Sequence, residues 1–84
     1  MAEVSEIESR VRYIIATNLG IKEDNVLLHS KISEDLGADS LDSSQMVMDI
    51  EKEFDIPIHD GESEKLRTLQ DIIDFVVLVT EVKV

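Results

Sequence analysis

A serine stands at the predicted start of an acidic helix, where its hydroxyl could do chemistry. Ser40 follows Asp39 and precedes Leu41 and Asp42. The first turn of a helix has free backbone N–H groups and the positive end of the helix dipole, so it favours an anion. A phosphate ester on the Ser40 hydroxyl would be well placed there, whereas an unmodified serine would act only as a capping residue.

Catalytic and metal chemistry find little support in the sequence. A serine hydrolase needs a base beside Ser40, but the chain has only His29 and His59 and no Gly-x-Ser-x-Gly elbow. Without cysteine it has no thiolate nucleophile, disulfide or Cys-ligated metal. If an EF-hand calcium loop began at Asp35, Gly37 would stand at a ligand position and Ser40 at the position of the turn glycine, so the sequence does not match that motif. We therefore expect no catalytic and no metal-binding residues.

The hydrophobic pattern predicts three substantial helices and a short one. The first helix is predicted to end at Gly20. The second is predicted to run from Asp39 or Ser40 to Phe54, because proline disfavours the α conformation in the residue before it and Pro57 follows shortly after. A brief helix is predicted over residues 62–66, and Thr68 caps the last helix, with Asp71 at its third position. The buried face of the first helix is predicted to comprise Val4, Ile7, Val11, Ile14 and Ile15.

The connection over residues 20–39 is long but rich in apolar side chains. Val26, Leu27, Leu28, Ile32 and Leu36 recur through it. A long structured loop of this kind is unusual in a compact domain and is often functional. The sequence therefore predicts an all-α fold: a small four-helix bundle with a long structured loop after the first helix. Residues 1–84 are expected to form a single domain, with residues 80–84 frayed.

The charge of the chain limits its partners. Its 84 residues include 19 acids and 8 bases, a formal net charge of −11. Nucleic-acid and anionic-membrane binding are disfavoured, because both need Lys and Arg, whereas partners with basic patches are favoured. The acidic start lacks the order of a secretory signal, and the longest apolar run is too short to span a bilayer. We expect a cytoplasmic monomer.

The second helix has two different faces. At 100° per residue, Met46, Val47, Ile50 and Phe54 cluster on a core face, while Leu41 and Met48 fall on the opposite side. Single exposed apolar residues are ordinary on a surface. Here, however, eleven of the nineteen acids and one of the eight bases lie within residues 34–64. We interpret the outer face as a docking surface, with apolar anchors and acids that steer a basic partner.

Four segments of the chain resemble the acyl carrier protein family. The run Asp-Leu-Gly-Ala-Asp-Ser-Leu-Asp at residues 35–42 is similar to the family's attachment motif, and residues 51–58 resemble the exit of its second helix. The likeness continues through residues 64–66 and 68–75, and covers nearly the whole chain. The motif and the free-standing length are most similar to carriers of type II fatty-acid synthesis, with a polyketide carrier as the nearer rival.

The resemblance implies a non-catalytic carrier. Ser40 would bear 4'-phosphopantetheine, transferred from coenzyme A by a phosphopantetheinyl transferase, and the thiol of this group would hold acyl chains as thioesters for fatty-acid-synthesis enzymes. The resemblance also implies two groups of residues. The acyl cleft would be lined by Met46, Ile50, Ile58, Leu66 and Ile72. Partner docking would involve Asp39, Leu41, Asp42, Met48 and Glu51.

The sequence departs from the family pattern at several positions. Residues 43–45 are Ser-Ser-Gln, Lys52 interrupts an acidic run, and Pro57 stands two residues before the usual proline, with His59 beyond it. The departures at residues 43–45 and at Lys52 weaken the family's usual docking face, and they indicate either specialised partners or drift. One further reading stays open, in which the chain is an acidic helical adaptor that binds partners through its second helix and carries no cofactor.

Overall fold

Four α-helices and one short 3-10 turn form the fold. The structure is a computed structural model, and it describes residues 4–81 apart from the side chains of residues 60 and 81. The only β pairing within this range is an isolated antiparallel bridge between Lys31 and Thr68. The predicted all-α bundle with a long first loop is confirmed. Its elements are α1 (Val4–Leu19), the 3-10 turn (Glu23–Asn25), α2 (Ser40–Phe54), α3 (Asp60–Ser63) and α4 (Leu69–Glu81).

The first helix ends as its sequence predicts. Gly20 has a φ of 68°, a left-handed conformation that glycine adopts without a steric penalty, and the Ile21 N–H donates to the Ala16 carbonyl over 3.0 Å. Val4 is exposed because it lies in the first turn, so its predicted place on the buried face is wrong. The confirmed members of that face are Ile7, Val11, Ile14 and Ile15.

The long loop is held against the core, as its apolar residues predict. Val26 and Ile32 are buried, and the Arg12 side chain on α1 donates from Nε to the Val26 carbonyl over 2.8 Å. Leu28 and Leu36 are half-buried, whereas Leu27 is exposed, against the expectation. The Ile32 N–H also donates to the Arg67 carbonyl over 2.8 Å, next to the single bridge. This loop is therefore held to α1 at Val26 and to the segment before α4 at Ile32.

The second and fourth helices begin at the predicted caps. Asp39 caps α2, and Thr68 and Asp71 cap α4 reciprocally, since the Asp71 N–H donates to Thr68 Oγ1 over 3.1 Å and the Thr68 N–H donates to Asp71 Oδ2 over 3.2 Å. Helix α2 ends at Phe54 as predicted, but Pro57 is not what ends it. Asp55 adopts a left-handed conformation (φ 53°, ψ 50°) and closes the helix there, two residues before Pro57.

The short helix lies two residues earlier than predicted. It begins at Asp60 because the carbonyl of His59 accepts the N–H groups of Glu62 and Ser63, each over 2.9 Å, and the Glu62 carboxylate accepts the His59 N–H over 3.2 Å. Residues 64–66 follow as a hydrogen-bonded turn. Helix α4 continues to Glu81. Residues 82–84, part of the segment expected to fray, lie outside the described residues.

The core is aliphatic and α1 lies at its centre. The backbones of α2 and α4 both pack closely against α1, whereas α2 and α4 hardly approach each other. The half-buried Phe54 and Phe75 pack at the margin of the core, and Tyr13 is exposed. No helix within residues 4–81 is long and apolar enough to cross a membrane. The separation of α2 from α4 leaves space between them, and this space bears on function.

Candidate functional site

The loop before α2 fixes the position of Ser40. Gly37 turns the chain with a φ of 79°, and Ala38 is buried, with its N–H donating to the Ile32 carbonyl over 3.1 Å. Asp39 then leaves the core as the cap of the helix. Ser40 is consequently the first residue of α2, it is exposed, and its hydroxyl makes no hydrogen bond within the described residues.

The first turn of α2 suits a phosphate ester. The helix geometry leaves the N–H groups of Ser40 and Leu41 without an intrahelical acceptor, and the positive end of the dipole lies at the same place. The N–H groups of Asp42 and Ser43 are already used, since they donate to the Asp39 side chain and carbonyl over 2.8 and 2.9 Å. A phosphate joined to the Ser40 hydroxyl would therefore meet unpaired donors and open solvent rather than the core.

The two predicted apolar anchors are both exposed on α2, although Met48 also borders the cavity described below. Leu41 is 79% exposed and Met48 is 48% exposed, while Met46 and Ile50 on the opposite face are buried. The expected exposure of Leu41 and Met48 is confirmed, whereas Val47 and Phe54, also expected on the core face, are only half-buried. Exposed apolar side chains on an acidic helix form a surface that a partner could cover.

The acids of the predicted docking set are not all free. Asp39 and Asp42 form a capping box at the start of α2. Glu51 is half-buried, and its Oε2 accepts the Ile58 N–H over 2.8 Å. Asp49, which was not in that set, accepts from Asn18 Nδ2 on α1 over 2.9 Å. The structure therefore exposes Asp39, Leu41 and Met48, leaves Asp42 half-buried, and directs the Glu51 carboxylate towards the next loop.

A cavity of about 530 Å³ lies between α2, α4 and the segment that carries α3. We call it the central cavity. All five residues predicted for the acyl cleft line it, although they come from four separate parts of the chain. Its apolar wall contains Met46, Ile50, Ile58, Leu66 and Ile72.

Several residues of the central cavity were not predicted from the sequence. Ser43 and Ser44 line it about one turn along α2 from Ser40, while Ile32, Val47 and Met48, the last predicted only for docking, extend the apolar wall. Lys31 and Arg67 also line it, because the loop and the start of α4 are joined beside them. The two serines could have been found from their spacing after Ser40. The loop residues carry no comparable signal.

The histidines do not support hydrolysis. Both His29 and His59 are exposed, and neither lines the central cavity. Within the described residues Ser40 makes no hydrogen bond to either imidazole, the contact that would activate a serine nucleophile.

A comparison with protein families defines the class of this chain. Residues 9–76 match the model of the phosphopantetheine attachment site, which includes most of the described structure. The chain belongs to this family of carrier domains. Members attach 4'-phosphopantetheine covalently to a serine, interact with phosphopantetheinyl transferases and synthesis enzymes, and are not catalysts themselves. The reading as a cofactor-free adaptor is not supported by this membership.

Proposed function

We propose that this chain is an acyl carrier protein of type II fatty-acid synthesis, working as a single cytoplasmic domain with Ser40 as the attachment residue. The observation that carries the proposal is the placement of Ser40. Ser40 is exposed and lies about one helical turn before the first α2 residues that line the central cavity, which has an apolar wall. When bound there, 4'-phosphopantetheine supplies a thiol that holds an acyl group as a thioester.

The chain's own residues have three roles in this proposal. The first turn of α2 presents Ser40 to the transferase and stabilises the phosphate through free N–H groups. The wall of the central cavity removes the acyl chain from water between deliveries. Leu41 and Met48 contact enzymes with basic patches, and the surrounding acids accelerate the encounter. Tethering then raises the effective concentration of the acyl group at each enzyme.

Intact mass tests the attachment residue. The purified chain is incubated with coenzyme A and a broad-specificity phosphopantetheinyl transferase. We expect the mass to increase by one phosphopantetheine group, and we expect no increase in Ser40→Ala. Ser44→Ala is the matched control, because Ser44 is an exposed serine on the same helix, and it should be modified like the parent. Modification of Ser40→Ala would overturn the assignment.

The type of pathway needs a separate test. The modified chain is supplied to purified fatty-acid-synthesis enzymes with malonyl and acetyl donors, and the acyl chains released from it are identified. Saturated chains that grow by two carbons would support the fatty-acid assignment. A carrier that is modified but extended only by a polyketide synthase would contradict that assignment and leave the attachment residue in place.

A further inference from the structure

Glu51 binds the loop after α2 with both its main chain and its side chain. The Glu51 carbonyl accepts the N–H groups of Asp55 and Ile56, the latter over 3.2 Å, and its carboxylate accepts the N–H of Ile58 over 2.8 Å. Pro57 has no N–H to donate. Every backbone donor from Asp55 to Ile58 is therefore held by one residue, and only the bond to Ile58 depends on the identity of its side chain.

Ile58 is part of the wall that this bond secures. Its side chain is 8% exposed and lines the central cavity beside that of Glu51. The following helix, α3, has only four residues and lacks the close backbone approaches that join α1 to α2 and α4. Since α2 and α4 hardly approach each other, the segment around Ile58 closes a side of the cavity that no long helix covers.

We propose that the Glu51 carboxylate is a positioning group that holds Ile58 in the cavity wall, and so sets how readily an acyl chain leaves the central cavity. This inference rests on the proposed function. Removal of the carboxylate leaves the half-buried Ile58 N–H without an acceptor, and the loss of such a bond costs about 1 kcal/mol. The loop then separates more often from α2, and the thioester is exposed to water more of the time.

The experiment compares three variants that change α2 at nearby positions. Glu51→Ala removes the acceptor, whereas Glu51→Gln keeps an oxygen that can accept from Ile58. Glu53→Ala is the matched charge control, because Glu53 lies two residues further on, pairs with Arg10 over 3.2 Å, and does not line the cavity. Each variant is loaded with an octanoyl phosphopantetheine group, and loading is confirmed by mass.

Two rates are measured for each variant. One is amide hydrogen exchange of Ile58 in the unloaded chain, and the other is thioester cleavage by hydroxylamine in the loaded chain. We expect both rates to rise about fivefold to tenfold in Glu51→Ala. Both should stay within about twofold of the parent in Glu51→Gln and Glu53→Ala. If Glu51→Ala does not fold, Glu51→Asp replaces it, since its side chain is one methylene shorter.

Three results would overturn the proposal. Unchanged exchange at Ile58 in Glu51→Ala would show that the carboxylate does not hold the loop. Faster exchange with unchanged cleavage would show that the loop does not control the acyl chain. An equal effect in Glu53→Ala would assign the change to charge. Failure to load the parent would instead contradict the proposed function. Exchange at Ile58 and uptake of a free fluorescent fatty acid by the unloaded variants would then decide the role of Glu51.

Discussion

Asp39 and Asp42 each hold the other's backbone at the start of α2. The Asp42 N–H donates to Asp39 Oδ1 over 2.8 Å, and the Asp39 N–H donates to Asp42 Oδ2 over 3.3 Å. Ser40 and Leu41 lie between them, so the proposed attachment residue is enclosed by a hydrogen-bonded ring. Two acids that the family resemblance assigns to partner docking therefore also determine where the helix begins.

Removal of Asp39 should destabilise the fold. We expect Asp39→Ala to lower the free energy of unfolding by about 1 kcal/mol, since it deletes the side-chain cap of α2. Asp42→Ala should cost less, because its longer bond is to a single exposed N–H. Urea unfolding followed by circular dichroism measures both. Equal stability of Asp39→Ala and the parent would contradict a structural role for this cap.

The outer face of α2 is best tested through its apolar residues. Charge reversal at Asp42 or Glu51 would also remove a bond to the backbone. We therefore expect Leu41→Ala combined with Met48→Ala to weaken binding of the transferase, with the free energy of unfolding changed by less than about 0.5 kcal/mol. Titration of the transferase into the unmodified protein measures this effect.

The control for that surface is another exposed leucine. Leu78 lies on α4 and is 63% exposed. Leu78→Ala removes a similar apolar area without touching α2, so it should bind the transferase like the parent. A loss of affinity shared by Leu78→Ala and the α2 double variant would argue against a docking surface on α2.

Salt should stabilise the protein. Eleven acids and one base lie within residues 34–64, so repulsion between like charges opposes folding and is screened by ions. The exposed ion pairs, such as Lys31–Glu34 at 3.6 Å, contribute little to stability, so little stability is lost when salt screens them. We expect the melting temperature to rise between 20 mM and 500 mM sodium chloride, because the screening length becomes about fivefold shorter over that range. A constant or falling melting temperature would exclude this effect.

Two adjacent isoleucines on α4 allow the cavity to be tested separately from the rest of the core. Ile72 and Ile73 are both buried on α4, but only Ile72 lines the central cavity. Each Ile→Val change should lower stability by about 1 kcal/mol. In the parent, an octanoyl chain held by the cavity should raise the melting temperature. We expect Ile72→Val to reduce that increment and Ile73→Val to leave it intact; the opposite order would place the chain elsewhere.

The sequence predicted those features that depend on local patterns. The caps at Asp39 and Thr68, the stop at Gly20, and the opposed faces of α2 follow from residue types at fixed spacings, which near neighbours alone determine. All five residues expected at the acyl cleft line one cavity, although their role in binding an acyl chain stays a proposal.

The features that the sequence did not predict depend on distant packing or on backbone geometry. The end of α2 was assigned to Pro57, but Asp55 takes the left-handed conformation that closes the helix. The start of α3 was missed because His59 is a weak capping type and Gly61 suggests a break. The bond between Glu51 and Ile58 joins residues seven positions apart across a turn, and no spacing rule indicates it.

The packing of α1 against α4 has a consequence for synthesis on the ribosome. These helices approach each other closely, yet they begin at Val4 and Leu69, near opposite limits of the described chain. The apolar face of α1 therefore has no complete cover until α4 has been translated, seconds later at about 5–20 residues per second. Nascent chains that stop before α4 should expose Val11 and Ile15, and should be protected by chaperones rather than by their own fold.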